Sequence, residues 1–296
     1  MLRGCRRTVL AAVAVASCLA LACGGPGGVS EEAAPATDSY TGSSTDAPQR
    51  VVSLSPNVTE ILFALGVGDR VVGVDDYSTH PPETAGLTRL GGYLDPDLEG
   101  IVALDPDLAV LLAAQGELAD DLEALGVPTL RVDNQDLEDV EASMVTLGER
   151  LGVPQAGREL AAGFAAALAP RPLPGPPRRV MIVAGRTPGR LGEVLVAGPD
   201  SYPYELAGRL GADNVFADLG NRYATVGAEE IVARAPGVVV EMAPERLDAA
   251  AKEARAEEWR ELLGPEVVVA VLDGPETLVP GPRLPSVYDR LEAALR

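Results

Sequence analysis

The 296-residue sequence contains one lysine, Lys252, and one histidine, His80. Its three cysteines, Cys5, Cys18 and Cys23, all fall within the first 23 residues, and aromatic residues make up 4% of the chain. Each scarcity excludes something. A single histidine rules out His-rich metal sites and leaves a Ser-His-Asp hydrolase only one imidazole to draw on. Cysteines gathered at one end cannot build a disulfide framework or a thiolate metal site in the remainder. With 24 basic against 44 acidic residues the formal charge is −20, so the surface repels phosphate backbones and nucleic acid is not an expected partner. The phosphate-cradling G-x-x-x-x-G-K-[ST], a G-x-G-x-x-G after a strand and a G-x-S-x-G elbow are all missing. What remains, at 47% hydrophobic and 23% charged, is enough to bury a core in one large or two medium domains.

The N-terminal end reads as targeting. Arg3, Arg6 and Arg7 precede an apolar run from Thr8 to Ala22 that is too short for a permanent membrane span, so residues 1–22 are expected to be an export signal. The run ends Leu19-Ala20-Leu21-Ala22-Cys23, which resembles the bacterial lipobox and implies a lipidated Cys23 as the only membrane contact. Residues 23–49 are Gly, Ser, Thr, Pro and acid, predicting a flexible tether with a root-mean-square reach of about 25–30 Å. The expected location is the cell envelope, in the periplasm or at the outer cell surface.

From Arg50 onward, β-branched runs alternate with amphipathic stretches, which predicts an α/β fold of two Rossmann-like lobes with the ligand cleft between them. The first lobe is placed at residues 50–135, with strands over Val51 to Ser55, Val71 to Val74, Leu108 to Leu112 and Thr129 to Val132. Asn57 and Glu60 read as N-cap and N3 of a capping box, and a further helix is expected over Gly116 to Leu125. Residues 136–178 are expected to be a helical connector broken at Gly152-Val153-Pro154 and ending in closely spaced prolines. The second lobe, 179–296, has strands near 180–184, 237–242 and 266–272 and helices near 202–210, 228–234, 247–263 and 282–295. Parallel sheets covered on both faces follow from the alternation. The segments Glu99-Gly100-Ile101-Val102-Ala103 through Val110 and Glu229-Glu230-Ile231-Val232-Ala233 through Val240 match at a constant offset of 130 residues, predicting an internal two-lobe repeat.

In open sheets, ligands sit beyond the carboxyl ends of strands, which draws attention to Ser55, Pro56, Asn57, Tyr77, Tyr93, Tyr223 and Asp273. Three runs, Arg50 to Leu62, Gly73 to Pro82 and Leu98 to Leu108, together with Pro280-Gly281-Pro282-Arg283, resemble the periplasmic binding proteins of ABC transporters for cobalamin, ferric siderophores and haem. The resemblance implies two α/β lobes on a backbone helix, acting as a monomer that binds a bulky metal chelate and catalyses nothing. Within the family the cobalamin branch is nearest. Its cleft aromatics fall on Tyr77, Tyr93 and Tyr223, a cleft acid falls on Asp273, and a further aromatic is replaced by Leu195. A cleft arginine that would fall near Val279 is lost. Glu99 and Glu229, one per lobe, are implied to dock on a permease dimer. No catalytic residue, metal ligand or resident cofactor is expected. The alternatives are a ferric siderophore or haem receptor, or, in other classes, an exported lipid-anchored hydrolase or an adhesion module.

Overall fold

A computed structural model describes residues 47–296; the expected export signal, Cys23 and the tether up to residue 46 lie outside the described residues. The folded body begins earlier than expected, because residues 47–49 are held to it. The Gln49 N–H donates to Asp107 Oδ2 at 2.7 Å and Arg70 donates to the Pro48 carbonyl at 3.3 Å.

In the first lobe, β1 (Val51–Ser53) lies between β2 (Val71–Val74) and β4 (Leu108–Leu112), with β3 (Thr88–Arg89) and β5 (Thr129–Val132) at the edges and every pairing parallel. Alternate residues of β1 enter two different cores: Val51 packs with α1 (Pro56–Ala64) on one face, Val52 with α2 (Leu98–Ala103) and α3 (Gly116–Ala124) on the other. α1 starts at Pro56, one residue before the expected capping box. Pro56 needs no hydrogen-bond partner in the first turn, and Ser55 holds the cap position without a side-chain bond. Asn57 and Glu60 therefore lie inside the helix and are not its caps.

The connector is two helices, α4 (Leu137–Arg150) and α5 (Pro154–Ala167). They meet back to back at Gly148 and Gly157, where a Cβ on Gly148 would stand 2.7 Å from the Gly157 Cα. Asp136 and Asp139 close a capping box at the start of α4.

The second sheet is mixed, which the alternation did not predict. β6 (Arg179–Arg186) and β11 (Val268–Asp273) pair in parallel with β10 (Val238–Ala243), but β7 (Val194–Ala197) runs antiparallel to both β6 and β9 (Tyr223–Val226), and a two-residue β8 (Asp213–Asn214) pairs with the start of β6. α6 (Tyr202–Arg209), α7 (Ala228–Arg234), α8 (Ala249–Leu263) and α9 (Leu284–Leu295) cover it. Val180 and Ile182 point into one core and Met181 and Val183 into the other. The largest core runs from α1 and β1 through α4 and α5 into α6, β10 and α9, so both lobes and the connector share one buried apolar mass.

The repeat is structural. At the same offset of 130 residues, α2 and β4 correspond to α7 and β10, and the left-handed residues Asp105 and Ala235 (both φ 46°) close the two helices before a proline. Arg50 donates to the Leu104 carbonyl at the end of α2, and Arg179 donates to the Arg234 carbonyl at the end of α7. Each arginine thus places a cation on orphan helix carbonyls at equivalent points.

Candidate functional site

A cavity of about 370 Å³ lies between the lobes. The first lobe contributes Tyr93 from the loop after β3, Leu112 at the end of β4 and Ala114 just beyond it, and Asp133, Asn134 and Gln135 after β5; the second contributes Ala184 of β6, Leu195 of β7, Tyr202, Tyr223, Leu278 and Pro280. These positions cluster beyond the carboxyl ends of β4, β5 and β11 and along β6 and β7, where an α/β sheet exposes ligand-binding loops. Tyr93 and Leu195 remain 45% and 37% exposed, so the cavity is an open cleft with apolar surface left uncovered.

Tyr93 is presented by a loop after β3. Gly91 adopts φ 79° and any Cβ there would run into the Asp95 carbonyl, while Gly91 and Pro96 bridge the loop's two sides. The neighbouring loop carries Tyr77, which is 66% exposed and packs against Gly92 outside the cavity lining. That loop is rigid. Asp76 N–H donates to the Gly91 carbonyl, Ser78 bonds Asp75, and a buried hydroxyl chain links Ser78 to Thr59 at 2.8 Å and Thr59 to Ser53 at 2.7 Å. Burial pushes the Asp75 carboxyl above its ordinary range, against hydrogen bonds from Ser78 and Tyr77 that pull it down.

On the opposite wall, Tyr223 opens β9, beside Ala197 of β7. Burial pushes its phenol up to about 12, against a hydrogen bond with Ser201 and the charge of Arg222. Tyr202 is buried more deeply and donates to the Thr277 carbonyl at 2.7 Å. Burial raises its phenol well above the usual value, so both groups are neutral at physiological pH.

Of the residues singled out in the sequence, the structure brings Tyr93, Tyr223 and Leu195 into one cavity and leaves the others outside its lining. Ser55 and Asn57 are buried, with Ser55 Oγ donating to Asn57 Oδ1 at 2.5 Å, and Pro56 is committed to opening α1. Asp273 ends β11 but turns away from the cleft: Lys252 sits 2.6 Å from Oδ1, Arg290 3.2 Å, and the Leu247 N–H donates to Oδ2. Burial raises this carboxyl, but bonds from Lys252 and Leu247 outweigh it and leave it below the usual carboxylate range. Glu99 and Glu229 are exposed at the first turns of α2 and α7, and neither makes an ion pair among the described residues. His80 lines a second cavity of about 320 Å³ with Glu60, Glu83 and Arg283. Among the described residues no group of His, Cys, Asp or Glu is arranged to hold a metal, and no helix is long and apolar enough to cross a membrane.

Sequence reasoning missed Asp133, Asn134, Gln135 and Tyr202. The first three carry the signal used elsewhere, a position just after a strand. Tyr202 opens a helix and gave no such signal.

Among curated proteins, the chain is 30% identical over 197 residues to a vitamin B12-binding protein of Vibrio parahaemolyticus, spanning 64% of this chain and 70% of that one. Among solved structures, the vitamin B12-binding protein BtuF of Vibrio cholerae has the same fold, with a TM-score of 0.71 at 24% identity over 84% of this chain and 97% of that one. A periplasmic haem-binding protein from Pseudomonas aeruginosa matches with a TM-score of 0.71 at 30% identity, covering 83% of this chain and 92% of that one. Residues 51–262 match the family described as periplasmic binding protein, and the chain belongs to that family.

Proposed function

We propose that the protein captures cobalamin or a related corrinoid in the inter-lobe cleft and delivers it to an ABC permease, catalysing no reaction. The observation that carries this reading is the cleft itself: aromatic faces from both lobes, Tyr93 and Tyr223, beside the amides of Asn134 and Gln135. Flat phenol rings stack on a macrocycle at low entropic cost, and side-chain amides pair with the amide groups around a corrin. The relatives named for vitamin B12 support the same ligand. Tyr77, exposed on the neighbouring loop beside Gly92, is assigned the ligand's edge. Fluorescence titration of the purified protein with cyanocobalamin, cobinamide, haemin and ferric siderophores tests the assignment; saturable quenching by a corrinoid is expected, and quenching by a siderophore alone would overturn it.

Haem is the second reading, favoured by the 30% match to a haem-binding structure and by phenols able to ligate ferric iron. An iron-to-phenolate absorption band on adding haemin, lost in Tyr93→Phe or Tyr223→Phe, would establish it.

Delivery is assigned to Glu99 and Glu229, which the repeat places at equivalent points of the two lobes, matching the paired subunits of a permease dimer. Reversing both charges to arginine is expected to abolish uptake while leaving ligand affinity unchanged. Lipidation at Cys23 would hold the protein at the membrane, and incorporation of labelled fatty acid, lost in Cys23→Ala, checks it.

A further inference from the structure

Resting on the reading that the cleft binds a chelate, we infer that it selects by charge: it takes a neutral or cationic, amide-bearing chelate and rejects one edged with carboxylates, with Asp133 setting the sign. Among the described residues, Asp133 is the one charged side chain in the lining, which holds no lysine, arginine or histidine. Asp133 is exposed as a residue, and its carboxylate accepts no hydrogen bond among the described residues, the Ser143 hydroxyl being bonded instead to its backbone carbonyl at 2.7 Å.

The surroundings reinforce the sign. After burial, the charges of Asp139 and Asp136 are what push the Asp133 carboxyl up, and Arg222 is the cation that opposes them. Arg222 is already engaged, 3.7 Å from Asp136 Oδ2 and donating to the Asp200 carbonyl at 2.6 Å. The Tyr202 hydroxyl is spent on the Thr277 carbonyl. A carboxylate brought into this cleft would lose water, meet a like charge and find only neutral donors, whereas a ligand amide offers Asp133 an N–H it lacks. The cleft therefore separates two ligand classes of similar size and flatness: a corrin whose edge carries carboxamides and a porphyrin whose edge carries propionates.

The test uses pairs that share a macrocycle and differ chiefly in whether its edge carries carboxylates. One is cobinamide and its fully hydrolysed heptacarboxylate, cobyrinic acid; the other is haemin and haemin dimethyl ester. Affinities are measured by fluorescence at neutral pH for the wild type, Asp133→Asn and Asp133→Lys, with melting curves confirming that the variants fold. We expect cobinamide to bind about a hundredfold more tightly than cobyrinic acid, the gap to narrow about tenfold in Asp133→Asn, and Asp133→Lys to favour the acid. Equal affinity for both corrinoids in the wild type, or a gap that Asp133→Asn leaves intact, would overturn the inference. If neither corrinoid binds but haemin dimethyl ester binds well above haemin, the corrinoid assignment fails and the charge selection stands. Haemin binding as tightly as its ester removes the selection, and no binding by any of the four removes both.

Discussion

Tyr93, in the loop after β3, and Asp273, at the end of β11, behave oppositely. Tyr93 is half-exposed on a loop fixed by Gly91, with nothing of the core depending on its ring. Tyr93→Ala is expected to weaken ligand binding by about 1–3 kcal/mol and leave the melting temperature unchanged, checked by titration and calorimetry on the same sample. Asp273 is buried and satisfied by Lys252, Arg290 and Leu247. Asp273→Asn is expected to cost about 1.5–3 kcal/mol of stability without changing affinity. The acid limb of the stability curve gives a second check. Because the folded-state carboxyl lies below its ordinary 3.8, its contribution is present above that pH and lost as pH falls through the lowered value, and the variant flattens this limb. In the sequence both residues carry the same credential, a place just after a strand. It could not say which would face the cleft, because that depends on whether distant cations, here on α8 and α9, reach the side chain first.

The elements were legible where propensity and repetition agreed. α2 with β4 and α7 with β10 share a pattern that needs no tertiary context, and the offset of 130 residues holds down to their closing residue. β7 and β9 were not legible: each has four residues, β7 follows a Gly- and Arg-rich loop, and both exist because the end of β6 and each other supply their partners. The repeat also exposes a local flaw. Asp105 and Ala235 both take a left-handed conformation, which aspartate tolerates and alanine resists. Ala235→Asn is expected to stabilise the second lobe by about 0.5–1 kcal/mol, measured by chemical denaturation, whereas Asp105→Ala should destabilise the first by a similar amount. Within β10, Glu241 is pinned between Arg186 at 2.9 Å, Arg255 at 2.9 Å and the Trp259 indole at 2.7 Å, which ties α8 to the sheet through a fully buried carboxylate. The sequence offered a glutamate in a strand and a tryptophan in a helix with no sign that they meet.

At the scale of the whole molecule, the lobes are joined by more than the connector. Arg283, before α9, forks onto Glu60 of α1 at 2.9 and 2.5 Å across 223 residues of chain, and the same guanidinium reaches Glu276 at 3.2 Å. Glu60→Ala is expected to cost about 3 kcal/mol, at the low end for a broken buried pair because Arg283 keeps Glu276. Adding Arg283→Ala should recover part of that loss, which a double-mutant cycle measures. Burial raises the Glu60 carboxyl despite the bond and charge of Arg283 and the charge of His80. The folded chain thus holds this proton more tightly than the unfolded one, so the group makes stability fall as pH rises from 4.5 to the raised value, and Glu60→Gln removes that fall. The run Pro280 to Arg283 was visible in the sequence, but its partner was read as a helix cap, since no local rule links residues so far apart. The Lys252–Asp273 pair carries a consequence of another kind. With Lys252 the chain's single lysine, a lysine-specific protease has one bond to cut, inside α8, so the rate of nicking under native conditions measures the opening of that helix alone and registers how ligand in the cleft alters it.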